Sequence, residues 1–356
     1  MKHNISIALA GLIVGLVAVC LGILGNPANM AFCIACFIRD TAGAVGLHRA
    51  EALQYIRPEI IGIVLGAFMI GLMKKDYAPQ GGSSSLTRFI LGACVMVGAL
   101  IFLGCPLRMV LRMAGGDLNA FIGLIGFVLG ILTGIVFLNR GFSLKRSYNQ
   151  PKAEGMGLPL ISVLLLVLLI TAPAFVFFSA SGPGALHAPL LLSLAGGLIV
   201  GAVAQRSRLC FIGGVRDAVM FKDFHMLLPY TIILVTVLIG NLITGKFNLG
   251  FASQPIAHTE WMWNVLGLYL VGFSSVLLGG CPLRQLILAG SGNGDAGVTV
   301  LGFFIGAAIC HNFGLASSGA GTTPNGRIAF AICVVIIFAI AILNTKKLSQ
   351  TQVVSA

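Results

Sequence analysis

Four cysteines in this chain stand where a thiol can do chemistry. Cys33, Arg39, Asp40 and His48 recur as Cys210, Arg216, Asp217 and His225, each displaced by 177 positions. Gly-Cys-Pro-Leu-Arg at 104–108 recurs at 280–284, displaced by 176. Such recurrence of chemically distinct residues marks an internal duplication. A neutral thiol is a weak donor and a soft acceptor. Cys33, Cys105, Cys210 and Cys281 therefore suit a soft, polarizable sulfur or selenium atom better than phosphate or chloride, which hydroxyls and amides would serve. A thiol in apolar surroundings stays protonated unless an arginine stands close.

Two kinds of loop carry these thiols, each present in both halves. The first runs over 29–40 and again over 206–217; the second is Cys-Pro-Leu-Arg followed by a glycine-rich stretch ending in Asp117 or Asp295. Pro106 and Pro282 lack an amide proton and disfavour helix at the preceding cysteine, so Cys105 and Cys281 are expected at helix breaks. A helix restarting there offers unpaired N–H groups and a positive dipole end, a site for an anion in a low-dielectric medium. Arg39, Arg108, Arg216 and Arg284 strengthen that preference. The aspartates are read as partners that make arginine burial tolerable: Asp40 for Arg39, Asp217 for Arg216, and Asp117 and Asp295 similarly for Arg108 and Arg284. His48 and His225 are read as helix-end polar partners rather than proton relays.

The elements that hold these loops lie in a membrane. Hydrophobic residues make up 58% of the 356 and charged residues 9%, against roughly 25% charged in soluble domains. Apolar runs close to the ~20 residues needed to cross a bilayer fall at about 5–25, 59–73, 86–104, 118–138, 158–178, 188–205, 227–244, 262–279, 297–313 and 327–343. This predicts an all-α polytopic protein of about ten helices, with 59–73 and 188–205 short enough to be half-length. The first run lacks a cleavage site and is read as retained rather than as a signal peptide.

The net charge of +12 is spread over connections and forms no aromatic-interleaved patch, so no nucleic-acid partner is expected. Most basic residues, among them Lys74, Lys75, Arg140, Lys145, Arg146, Arg206, Arg208, Lys346 and Lys347, fall on one side if both termini are cytoplasmic, as the positive-inside rule expects. The first repeat then covers 1–138, a cytoplasmic linker 139–157, a fifth helix at 158–178 completes the first repeat, a second repeat covers 188–344 and a C-terminal tail 345–356. Five crossings separate the two copies of the first motif, so the second repeat is inverted, with broken helices meeting at a central path. Many of the 47 glycines sit four apart, which lets helix backbones approach closely.

Other patterns carry less. Nine scattered cysteines do not form an extracellular disulfide framework, and Cys20, Cys94, Cys310 and Cys333, without partners at the repeat offset, are read as small packing residues. Cys33 and Cys36 form a CxxC of redox or half-zinc type, but Gly213 replaces the second cysteine in the copy. Gly292–Gly297 matches GxGxxG with no preceding strand and no later acid, and no P-loop occurs. No metal, cofactor or catalytic residue is expected.

The paired Cys-Pro-Leu-Arg loops, the Cys…Arg-Asp loops and the Gly-rich Asp segments together resemble the YeeE/YedE family of sulfur-compound transporters, most of all its selenium-metabolism branch. The resemblance implies inverted halves, a narrow central constriction, and cysteines that pass thiosulfate or a related ion along by S–H contacts. Carried over by motif, that role falls on Cys33, Cys105, Cys210 and Cys281. The expected activity is import, across the inner membrane, of a small sulfur or selenium compound, with a soluble sulfur-carrier protein as a candidate partner on the cytoplasmic face. The alternative is a membrane enzyme that takes sulfur or selenium as a cysteine persulfide, or shuttles disulfides, and hands it to a soluble partner. A structural scaffold is disfavoured, since it gives no cause for four repeated thiols.

Overall fold

The computed structural model describes residues 2–345; Lys346, Lys347 and the rest of the C-terminal tail lie outside the described residues. Hydropathy places the long helices. They are α1 (Lys2–Ile23), α3 (Pro58–Met73), α4 (Ser85–Phe102), α6 (Leu118–Asn139), α7 (Gly157–Thr171), α8 (Leu190–Ser207), α10 (Leu228–Ile243), α11 (Trp261–Leu278), α13 (Gly294–Asn312) and α14 (Pro324–Leu343). Each of the ten apolar runs in the sequence overlaps one of them. Among the described residues nine helical segments are long and apolar enough to cross a membrane, with Leu228–Ile243 a shorter apolar helix beside them. The protein is an all-α polytopic membrane protein.

Between these lie four short helices: α2 (Ile34–Ala44), α5 (Pro106–Ala114), α9 (Phe211–Phe221) and α12 (Pro282–Gly290). At 11, 9, 11 and 9 residues they extend only about 14–17 Å at 1.5 Å per residue, roughly half the ~30 Å hydrocarbon layer. The half-length helices are therefore not the 59–73 and 188–205 runs, which form α3 and α8. Their charged residues, such as Arg39 and Asp40 in α2 and Arg108 and Arg112 in α5, lower the local hydropathy and hide them from a search for apolar runs.

The breaks are made by backbone geometry. Helix α4 ends at Leu103 in the left-handed region (φ 62°), Cys105 is extended, and Pro106 opens α5. Its repeat does the same with Gly279 (φ 78°), extended Cys281 and Pro282. The left-handed conformation is natural for glycine and costs a leucine about 1–2 kcal/mol, so the first break needs outside support. It receives it from Arg108, which donates Nη1–H to the Leu103 carbonyl.

Helix α3 packs along α8 and α1 along α10, while α4, α6, α11 and α13 form the central group. Backbones meet at glycines: a Cβ at Gly130 of α6 would run into the Tyr269 carbonyl of α11, and one at Gly201 of α8 into the Ile63 carbonyl of α3. Dispersion and close approach must hold helices together in lipid, where no hydrophobic drive acts between them. The connections gather at two ends. At one, Gln80–Gly81 pairs antiparallel with Tyr148–Asn149, Gln80 bridges to Asn293, and Phe142 to Thr345. At the other, Asp117 bridges to Gly250, and Asn312 Nδ2 donates to the Leu47 carbonyl at 2.9 Å.

Gly130→Val is expected to lower stability by about 1–3 kcal/mol through overpacking of α6 on α11. Gly297→Ala in α13, whose Cβ would meet open space, is expected to leave stability unchanged or raise it by up to about 1 kcal/mol. Thermal unfolding of both variants in detergent checks the contrast.

Candidate functional site

Cys33, Cys105, Cys210 and Cys281 are the N-caps of α2, α5, α9 and α12. The first turn of a helix carries N–H groups without intrahelical acceptors. Cys33 Sγ accepts from the Cys36 N–H at 3.3 Å, and Cys210 Sγ from the Gly213 N–H at 3.4 Å. Where proline opens the helix the donors come partly from elsewhere. Neither Cys105 nor Cys281 makes a side-chain cap hydrogen bond to its own helix; the Arg108 and Ala35 N–H groups lie near the Cys105 sulfur, and the Arg284 and Phe211 N–H groups near the Cys281 sulfur. Ala35 belongs to α2 and Phe211 to α9, so the start of one short helix points at the thiol that opens the other.

This crossing brings the thiols together in two pairs, Cys33 with Cys105 and Cys210 with Cys281, each within thiol hydrogen-bonding reach. All four are buried, from 0% exposed for Cys33 to 7% for Cys210. Cys210 of the second pair borders an open cavity of about 600 Å³, lined also by Arg206, Arg208, Arg216, His225 and Arg284. One Arg284 guanidinium nitrogen, Nη1, is buried without a hydrogen-bond partner. A buried unpaired donor is costly, and an anion in the cavity would satisfy it.

The identical Cys-Pro-Leu-Arg motifs diverge at their arginines. Arg108 is fully buried and spent on carbonyls: Leu103, Asn29, Pro255 and Ile256, the last three at 3.2 Å. In the repeat Gln285 Nε2 does that work, donating to Leu278 at 3.2 Å and Gly280 at 3.4 Å, which leaves Arg284 to the cavity. The expected carboxylate partners are also different. Asp117 accepts from Arg112 Nε at 2.6 Å and caps α6 through the Asn119 N–H at 2.9 Å. Asp295 accepts from Ser83 Oγ and Ser147 Oγ, both at 2.7 Å, with Arg88 at 3.8 Å. Asp117 is therefore not the partner of Arg108, nor Asp295 of Arg284. Each aspartate sits at the start of a long helix and binds what its own end of the molecule presents.

Asp40 and Asp217 do pair with Arg39 (2.7 Å) and Arg216 (2.8 Å). Asp40 also takes Arg57 at 2.7 Å, so one buried carboxylate bridges two buried guanidinium groups. Sequence reasoning missed Arg57. Its signal was available: it is the only basic residue between Arg49 and Lys74, set against Pro58 at the mouth of an apolar run. The position at the repeat offset is Leu234, and the Arg216–Asp217 pair is partly exposed, 39% and 23%. His48 Nε2 lies 2.9 Å from the Arg39 carbonyl, which can only accept, while the Ala50 N–H approaches Nδ1 at 3.3 Å. Burial lowers the His48 pKa from its ordinary value against the raising effect of that carbonyl, so the ring serves neutral, as a helix-end donor. The His225 N–H donates to Asp223 Oδ1 at 3.0 Å at the cavity rim.

Cys36 donates toward the Leu103 carbonyl at 4.0 Å and lies at the same distance from Arg108 Nη1. It packs α2 against the α4–α5 break. The nine cysteines are free, and among the described residues no group of three or more His, Cys, Asp or Glu is placed to hold a metal. Cys94, Cys310 and Cys333, scattered in sequence, gather into one buried cluster.

The sulphur transport family matches residues 206–351, which contain Cys210 and Cys281. The chain is 27% identical over 120 residues to the thiosulfate transporter TsuA of Escherichia coli (strain K12), covering 34% of each chain. It is 29% identical over 113 residues to the thiosulfate transporter TsuA of Spirochaeta thermophila, covering 31% of this chain and 33% of that one. The chain thus spans about a third of the length of the curated relatives it matches.

Asp40→Ala, which strands two buried arginines, is expected to cost about 3–5 kcal/mol. Asp217→Ala, at a partly exposed pair, is expected to cost no more than about 1 kcal/mol. Unfolding of the two variants in detergent, side by side, measures the difference.

Proposed function

We propose that the chain is a YeeE/YedE-type sulphur transporter, as the sulphur-transport match over 206–351 and the likeness to two thiosulfate transporters support, and that it is a permease importing a small sulfur-containing anion of the thiosulfate type along a path lined by Cys33, Cys105, Cys210 and Cys281. The observation that carries this is the pairing of four buried thiols at the starts of four half-length helices. A dianion leaving water needs its hydration replaced. Here the S–H groups meet the soft sulfur, the backbone N–H groups of the helix starts meet its charge, and Arg284 attracts it from the cavity.

In this proposal the two halves are inverted repeats, 1–178 and 188–344 around the linker 139–157. The protein sits in the inner membrane with both termini cytoplasmic, Cys33 and Cys105 are reached from outside, and the cavity beside Cys210 opens inward. The basic cavity holds the arriving ion for a soluble sulfur-carrier protein. A selenium analogue fits the same thiols, because sulfur and selenium differ little in softness. Supporting roles fall to Arg39, Asp40 and His48, which fix α2, and to Arg216, Asp217 and His225 at the inner rim; Arg108 holds the α4–α5 break open. The persulfide-transfer alternative requires an accessible thiolate, and the burial of all four thiols and the engagement of Cys36 with Leu103 and Arg108 favour the permease.

The test is uptake of labelled thiosulfate and of a selenium analogue into proteoliposomes, with Cys105→Ala and Cys281→Ala in parallel. Both variants are expected to fold and to lose uptake by at least about tenfold, the scale of one lost hydrogen bond to a charged group. Uptake at the unsubstituted rate in both would sink the thiol path.

A further inference from the structure

Tyr230, near the start of α10, carries a phenol that the thiol path does not yet use. The residue is 4% exposed, and its hydroxyl has no hydrogen-bond partner of ordinary geometry. The Phe211 N–H that approaches it can only donate, so the phenol proton has no acceptor. The ring is held: it stacks on Phe211 at 4.4 Å with 18° between planes, and Phe211 in turn leans on Phe127 of α6 at 5.3 Å.

The position is what gives the free donor meaning. Tyr230 lies within electrostatic range of Cys281, Cys210 and Cys105, thiols drawn from both pairs. Helix α10 packs against α5, which Cys105 opens, and Tyr230 stacks on the first residue of α9, which Cys210 opens. The phenol is thus near enough to thiols of both pairs to bear on an ion that passes between them. A thiol is a poor donor to oxygen, whereas a phenol is a good one. An ion with a soft terminal chalcogen and hard oxygens would present one end to each kind of group, and a buried phenol proton without an acceptor would be satisfied by such an oxygen.

We propose that Tyr230 is a binding residue of the path, whose O–H donates to an oxygen of a sulfur oxyanion as the ion passes between the Cys33–Cys105 and Cys210–Cys281 pairs. The inference rests on the permease reading and narrows its substrate to ions that carry oxygen as well as a soft chalcogen.

The experiment uses the full chain in proteoliposomes with labelled thiosulfate as probe, comparing the unsubstituted protein, Tyr230→Phe and Cys105→Ala. Tyr230→Phe keeps the ring stack and removes only the donor. Its KM for thiosulfate is expected to rise about tenfold, the weight of one hydrogen bond to an anion, with the unfolding temperature in detergent unchanged. Incorporating p-aminophenylalanine at position 230 restores a donor and is expected to recover most of the affinity, which a merely structural role would not predict. An unchanged KM in Tyr230→Phe, or no recovery with the amino analogue, overturns the assignment. If the unsubstituted protein moves no thiosulfate, the permease reading itself fails; if Cys105→Ala transports normally, Cys105 has no part in the path; if Cys105→Ala is inactive while Tyr230→Phe is normal, only the tyrosine's role falls.

Discussion

Everything in this structure depends on where unpaired backbone groups go when a helix is broken inside a bilayer. Lipid offers them no hydrogen bonds, so each break must be satisfied by protein or must face a polar path. The protein makes four such breaks and places a cysteine at each. Sulfur is a weak acceptor, able to cap an N–H yet ready to release it to a stronger anion. A serine or aspartate cap would satisfy the helix start better and would leave less for a passing ion. On the proposed path, the choice of thiol would therefore set both the resting stability of the breaks and their readiness to bind.

Around that constraint the two halves divide their labour. In the first, the arginines are engaged within the protein: Arg39 and Arg57 by Asp40, Arg112 by Asp117 and the Phe102 carbonyl with its Nη2 left unpaired, and Arg108 by carbonyls that include the left-handed Leu103. In the second, a glycine occupies the left-handed position and a glutamine serves the carbonyls, so Arg284 is released to the cavity beside Cys210. The same motif occurs twice, and the residues around it give one copy a buried setting and the other a charged vestibule. Glycine contacts such as Gly130 with Tyr269 bring the helices near enough for a short helix of one half to lie against a long helix of the other, as α5 lies on α10 and α12 on α3.

Much of this was legible in the sequence because the bilayer imposes a coarse and reliable code. Ten apolar runs gave ten helices, and the offsets of 177 and 176 picked out the four thiols and their arginines. Proline after Cys105 and Cys281 announced the breaks. The short helices were hidden because charge within them mimics a loop, and Arg57 and Tyr230 were missed because neither recurs at the repeat offset.

The sequence by itself determined the solvent, the long helices and the thiols that stand at the breaks, since these follow from local composition, proline chemistry and repetition. Only the tertiary structure decided the partners. It gave Asp117 to Arg112 and Asp295 to Ser83, made thiol pairs of Cys33 with Cys105 and Cys210 with Cys281, gathered Cys94, Cys310 and Cys333 into one cluster, and set Tyr230 beside both thiol pairs. Which polar group meets which depends on the crossing of helices distant in the chain, and that crossing is fixed by packing at many small contacts that no single motif records.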